Sequence, residues 1–153
     1  MKFTIKTDRL TRKFGSFIAV KGISVHVEKG EVFGFCGPNG AGKTTAIRML
    51  CGLLKPTSGS GQVAGYDIMK ETGKIRSRIG YMSQVFNLYP DLTVFDNLKL
   101  FGTLYGLERT RLERRIDEMA RFLDMADMLK RMTGMIPCGW QQRLSLACAN
   151  LHE

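Results

Sequence analysis

The chain holds 153 residues, 44% of them hydrophobic and 24% charged, which fits about one folded domain with its own core and excludes a disordered chain. Its net charge of +9, from 23 Lys and Arg against 14 Asp and Glu, permits contact with a polyanion or an anionic membrane surface, although the basic residues are spread rather than clustered. No apolar stretch approaches the ~20 residues that span a bilayer, and the N-terminus has no apolar signal region, so the reading excludes a membrane-spanning or secreted chain.

In chain order, residues 3–7 and 23–27 alternate with the period of half-buried strands. Residues 32–36 form a nearly continuous apolar run, the pattern of a central strand covered on both faces. A glycine-rich loop follows, then a helical pattern over 44–54 with Ile47, Leu50 and Leu54 at core-facing spacing, broken by the Pro, Ser and Gly of residues 55–61. Residues 79–82 are a further strand candidate. The period then changes. Thr93 is an N-cap for a helix reaching about Tyr105, with Leu98, Phe101, Leu104 and Tyr105 on one face and Gly106 as its end. Thr110 and Glu113 have capping-box spacing and predict a helix that buries Ile116, Met119, Ala120 and Leu123. Arg109, Arg111, Arg114 and Arg115 alternate there with Glu108, Glu113, Asp117 and Glu118, which reads as a solvated, ion-paired helix face. Helix continues over 126–132, residues 134–139 are a loop, and a last helix opens at Gln141.

Cys36, Cys51, Cys138 and Cys148 are widely spaced, and the chain has only two histidines, so metal-ligand spacing is absent and the thiols are expected to be reduced packing residues. Strands first and helices second predict an α/β nucleotide-binding core over 1–85, a helical insertion over 86–140 and the start of a further helix over 141–153.

The strongest chemical signal is Gly37-Pro38-Asn39-Gly40-Ala41-Gly42-Lys43-Thr44, which meets every fixed position of the phosphate-loop pattern and lies between a strand pattern and a helix pattern. Glycines let consecutive backbone N–H groups turn inward onto phosphate oxygens, and the following helix adds its positive end. Lys43 supplies a cation for the β- and γ-phosphates, and the Thr44 hydroxyl is a ligand for Mg2+. These residues predict a nucleoside triphosphate site.

The run from Gly30 to Gly59 around that loop resembles the Walker A region of ABC transporter ATPases, most nearly the ATP-binding subunits of drug exporters. The resemblance continues from Ile79 through Gln84, Tyr89, Pro90 and Asp91 to Leu98, and covers essentially the whole chain. It implies a P-loop NTPase core of the ABC type with a helical subdomain inserted after the Q-loop. It also implies ATP and Mg2+ as ligands, a second ATP-binding subunit as dimer partner and an integral membrane permease. The place implied is peripheral, on the cytoplasmic face of the plasma (inner) membrane. Residue by residue, Phe14 takes the position of the aromatic that stacks on adenine. Gly37, Asn39, Gly40, Ala41, Gly42, Lys43, Thr44 and Thr45 wrap the phosphates. Gln84 matches the Q-loop glutamine that reaches Mg2+ and the attacking water.

Two departures stand against the family pattern. Its Leu-Ser-Gly-Gly-Gln signature corresponds here to Ile136, Pro137, Cys138, Gly139 and Trp140, which match at one glycine. Pro137 brings neither a hydroxyl nor an N–H, and Cys138 adds a β-carbon. The Walker B aspartate and glutamate would follow Glu153, so the C-terminal part of the fold is expected to be missing from these 153 residues. Three functions fit: an exporter subunit that hydrolyses ATP, a non-hydrolysing ATP-binding half-site, and a soluble relative acting on nucleic acid. The charge motivates the last; the exporter-like run over 89–95 argues against it, and no nucleic-acid partner is expected.

Overall fold

A computed structural model describes residues 3–83 and 88–152. The chain divides into two units, Met1–Ile79 and Gly80–Glu153.

The first unit is an antiparallel sheet with two helices. Strand β1 (Phe3–Phe14) is the spine. On one edge it pairs with β3 (His26–Glu28) near its start and with β2 (Phe17–Ile23) near its end; on the other edge it pairs with β4 (Ser58–Val63), which carries β5 (Tyr66–Asp67). Buried Thr7 holds the change of partner, because its hydroxyl accepts from the Val25 N–H at 3.0 Å. Helices α1 (Lys43–Leu50) and α2 (Thr72–Arg76) supply Ala46, Met49, Leu50 and Ile75 to a core closed by Leu10, Val20, Val63 and Ile68.

Several elements differ from the sequence reading. Residues 58–61 read as a breaker, yet they begin β4, because β1 offers a ladder that local propensity does not register. Gly59 and Gly61 fit there because a Cβ on either would lie under 3.0 Å from the β1 backbone. Helix α1 ends at Leu50 rather than Leu54: Gly52 takes φ +66°, and the Gly52 and Leu53 N–H groups bond back to the Met49 and Arg48 carbonyls. Ile47 is exposed, whereas Leu50 is buried with Ala46 and Met49 as expected, and Leu54 packs against the same core from beyond the helix end. Residues 32–36 are the largest correction. Among the described residues no strand pairs with them, and Val32 is 98% exposed. A two-sided strand is buried only by neighbours, and a continuous apolar run carries no information about whether they are alongside. Residues 79–82 likewise form no strand.

The second unit is helical: α3 (Val94–Leu104), α4 (Arg109–Phe122) and α5 (Cys138–Asn150), with single 3-10 turns at Ala126–Met128 and Thr133–Met135. Val94, Leu98, Leu112, Ile116, Leu144, Ala147, Cys148 and Leu151 form its core. Thr93 caps α3 as predicted, its hydroxyl accepting from the Asp96 N–H at 3.0 Å. Leu104 departs from the expected face and is exposed. Helix α4 begins at Arg109, so Thr110 lies inside it and the capping box does not form; Leu112 joins Ile116 and Ala120 in the buried stripe, and Met119 and Leu123 are half-buried beside it. The polar face of α4 carries the Arg109–Glu113 and Arg114–Glu118 pairs, but Arg115 is not solvated. Its guanidinium donates to the Asn150 and Leu151 carbonyls at 3.0 and 3.3 Å and closes the end of α5.

Asn97, fully buried, organises the entry to this unit. Its side-chain carbonyl accepts from the Tyr89 N–H at 2.9 Å, and its amide donates to the Tyr89 and Thr93 carbonyls and to the buried Thr133 hydroxyl. Of the four thiols, only Cys148 is fully buried; Cys36 and Cys138 are exposed, contrary to the packing role expected of them.

Candidate nucleotide-binding site

The phosphate loop is built by glycine geometry. Gly40 and Gly42 take φ of +82° and +85°, and Gly42 is the N-cap of α1, with its carbonyl accepting from the Ala46 N–H at 2.8 Å. At Gly42 conformation and space agree: a Cβ would stand 2.2 Å from the Ala19 carbonyl oxygen and 3.1 Å from the Val20 side chain. Glycine is thus needed because the loop is seated directly on β2. A Cβ at Gly40 would meet nothing within 4 Å, so there glycine serves the backbone angle alone.

Lys43, the first residue of α1, folds its side chain back over the loop. Its ammonium donates to the Gly37 and Pro38 carbonyls at 2.7 and 2.6 Å, placing a positive charge within the curl. Thr44 is exposed and Thr45 half-buried at the start of the helix; Asn39, Gly40 and Ala41 are exposed at the loop's crest. A helix N-terminus, glycine backbone and a lysine turned inward together form a cradle for an anion.

The base end is set by the β1–β2 hairpin. Phe14 and Phe17 pair across the two-residue turn at Gly15 and Ser16, and both rings are exposed. Phe14 is therefore not a core residue. Ala19, against which Gly42 is seated, lies two residues along β2 from Phe17, roughly 7 Å at strand rise. The phosphate cradle and the aromatic tip consequently share one short strand. Arg12, on the same side of β1 as Phe14 by strand period, lays its guanidinium over that ring at 4.5 Å. In the sequence Arg12 is marked only as a basic residue two positions before Phe14, and nothing local marks Ala19.

Gln84 lies outside the described residues. Pro137 is the N-cap of α5, and Cys138, Gly139 and Trp140 form its first turn rather than a loop, so the helix opens three residues earlier than Gln141. Proline fits that start, where its missing N–H costs nothing and its carbonyl accepts from Trp140 and Gln141. Cys138 and Gly139 are exposed; Trp140 rests partly on the helical core with the Arg143 guanidinium 4.6 Å over its ring. These four residues belong to the second unit, and the phosphate loop to the first.

A glycine loop opening a helix, with a lysine turned into its own curl, defines a P-loop NTPase. The family described as "ABC transporter" matches residues 20–153, and the chain belongs to it. Members of this family are ATPases, and their ATP-binding domains bind ATP. The chain is similar to the probable multidrug ABC transporter ATP-binding protein YbhF of Escherichia coli (strain K12), with 44% identity over 97% of this chain and 26% of that protein. It is also similar to the linearmycin resistance ATP-binding protein LnrL of Bacillus subtilis (strain 168), 36% identical over 97% of this chain and 48% of the relative. A solved ATP-binding subunit of an ABC transporter superposes with a TM-score of 0.84 at 26% identity, over 97% of this chain and 62% of the other. The chain thus spans about a quarter to a half of the length of these curated relatives. Among the described residues no helix is long and apolar enough to cross a membrane.

Proposed function

We propose that these residues form the nucleotide-holding part of an ABC exporter's ATP-binding subunit. The triphosphate of ATP lies in the cradle of Gly37, Asn39, Gly40, Ala41, Gly42, Lys43, Thr44 and Thr45, with adenine on Phe14. Mg2+ is held by the Thr44 hydroxyl and by Gln84. The donor set suits the ion: a hydroxyl and an amide oxygen are hard ligands, and Mg2+ would take its remaining ligands from triphosphate oxygens and water. When bound, the metal neutralises developing charge during phosphoryl transfer, while the chain's own groups orient the phosphates. The observation that carries the reading is the Lys43 ammonium turned into its loop, 2.7 Å from Gly37 and 2.6 Å from Pro38. A phosphate competes with those two carbonyls for the N–H groups of the ammonium.

Hydrolysis is coupled to export through a separate permease by a dimer of such subunits at the cytoplasmic face of the plasma membrane. Drug-resistance names among the relatives support this. So does an apolar patch on the helical unit, where exposed Tyr89 stands beside exposed Met132 and Met135. Backbone bonds join the two segments: the Gly134 N–H donates to the Pro90 carbonyl, and the Thr133 N–H to Leu92 and the Val94 N–H to Arg131 make the antiparallel bridge between Thr93 and Met132. Titration of MgATP into the wild-type chain and into Lys43→Ala tests the reading. Saturable binding, weakened at least about tenfold by the substitution, is expected from loss of a charge-assisted contact; equal affinities would overturn it.

One observation favours a second reading, an ATP-binding half-site without turnover of its own. Pro137 has no donor at the helix start where the family carries a serine. Exchange of residues 136–140 for Leu-Ser-Gly-Gly-Gln in the full-length protein should raise ATP turnover; unchanged turnover rejects this role for the segment.

A further inference from the structure

Arg12 is held in an unusual way. It lies at the irregularity in β1–β2 pairing, with register shifts on either side of it. Its Nη1 donates to the Lys55 carbonyl at 2.7 Å, its guanidinium carbon is 4.5 Å from the centre of the Phe14 ring, and its Nε is buried with no hydrogen-bond partner. Among the described residues no carboxylate pairs with it. Burying a guanidinium donor without a partner is costly, and an aromatic face returns part of that cost only if the ring stays where it is. The charge therefore holds the ring against one face while leaving Phe14 about half exposed.

The same arginine ties the ring to the helix behind the phosphate loop. Lys55 follows the turn that ends α1, and the next contacts repeat the connection: the Thr57 N–H donates to the Thr11 carbonyl at 2.8 Å, and the Lys13 N–H donates to the Thr57 hydroxyl at 3.0 Å. The hairpin that carries the ring is thus clasped to the end of α1, whose other end is the phosphate cradle.

We infer that Arg12 is a positioning residue that fixes Phe14 as a rigid platform for a purine base and joins the base end of the site to its phosphate end. The inference rests on the reading of Phe14 and the Gly37–Thr45 loop as an ATP site. It separates two contributions: a base stacked on Phe14 depends on Arg12, and a bare polyphosphate does not.

The test compares MgATP with inorganic tripolyphosphate, which has no base, as ligands of the wild-type chain and of Arg12→Ala, Arg12→Lys, Phe14→Ala and the double variant. Arg12→Ala should weaken MgATP roughly three- to tenfold and leave tripolyphosphate unchanged. Arg12→Lys, which keeps the cation but loses the planar group, should fall between. In the Phe14→Ala background, Arg12→Ala should have no further effect on MgATP. Equal weakening of both ligands would mean that Arg12 merely supports the fold. A persisting effect without Phe14 would mean that Arg12 touches the nucleotide itself. Either overturns the inference, as does an unchanged MgATP affinity in Arg12→Ala. A wild-type chain that binds neither ligand overturns the ATP-site reading and this inference with it, an outcome distinct from the other three.

Discussion

Asn97 offers the sharpest energetic prediction, because a single side chain satisfies groups from three segments of the helical unit. Asn97→Leu keeps most of the volume and removes the polar atoms, so the cost is read mainly from hydrogen bonds. The Tyr89 N–H and the Thr133 hydroxyl each lose a partner, and Asn97 and Thr133 are 0% and 1% exposed, so water cannot replace the bond between them. At about 1–3 kcal/mol for each group left unsatisfied, we expect a loss of about 3 kcal/mol. Trp140 is the only tryptophan and lies in the same unit, so its fluorescence during urea unfolding reports there. With an m-value of about 2 kcal/mol/M, the midpoint should fall by about 1.5 M. Thr133→Val should cost about 1 kcal/mol in the wild type and almost nothing beside Asn97→Leu, because the hydroxyl has already lost its partner. A midpoint shift below about 0.3 M, or additive effects in the double variant, would refute this role for Asn97.

Gly42→Ala and Gly40→Ala form a matched pair: both pay about 1–2 kcal/mol for the left-handed backbone, but only Gly42→Ala also meets the Ala19 carbonyl at 2.2 Å, so it alone should abolish nucleotide binding in a titration. Arg115→Ala leaves the last carbonyls of α5 without donors and should lower stability by about 1–2 kcal/mol in the same urea assay, whereas Arg114→Ala should change it by less than about 0.5 kcal/mol. Burial pushes the Cys148 thiol up to about 12, so at pH 8 only roughly one part in ten thousand is thiolate; Cys36 and Cys138 should react quickly with a thiol reagent and Cys148 only on unfolding. The same shift sets a pH dependence: the folded thiol stays protonated above its ordinary 9.0, the unfolded one ionises, and the helical unit loses stability as pH rises from about 9 to about 12.

The features legible in the sequence are those whose cause is local. Thr93 caps α3 through a residue three positions away, and the glycines of the phosphate loop declare a backbone that only glycine adopts without strain. Ile116 and Ala120 announce their face by helical period alone. The misreadings share the opposite origin. Residues 32–36 read as a buried strand because the pattern presupposes neighbours, and no described strand flanks them. Ser58, Gly59 and Ser60 read as a breaker because their partner, β1, is about fifty residues away in sequence. Arg115 sits in a run of alternating charge, and only the approach of α5 turns it from solvent to a cap. In the site the phosphate end was written in consecutive residues; its seat on Ala19 and the hold of Arg12 on Phe14 come from strand pairing, which spacing does not reveal.

Photolabelling with an ATP analogue carrying an azide on adenine, followed by peptide mapping, decides whether the Phe14 hairpin and the Gly37–Thr45 loop form one ATP site. Label is expected on the peptide that contains Phe14, suppressed by excess MgATP and by Lys43→Ala. Label confined to the helical unit, or label that excess MgATP does not suppress, would contradict it.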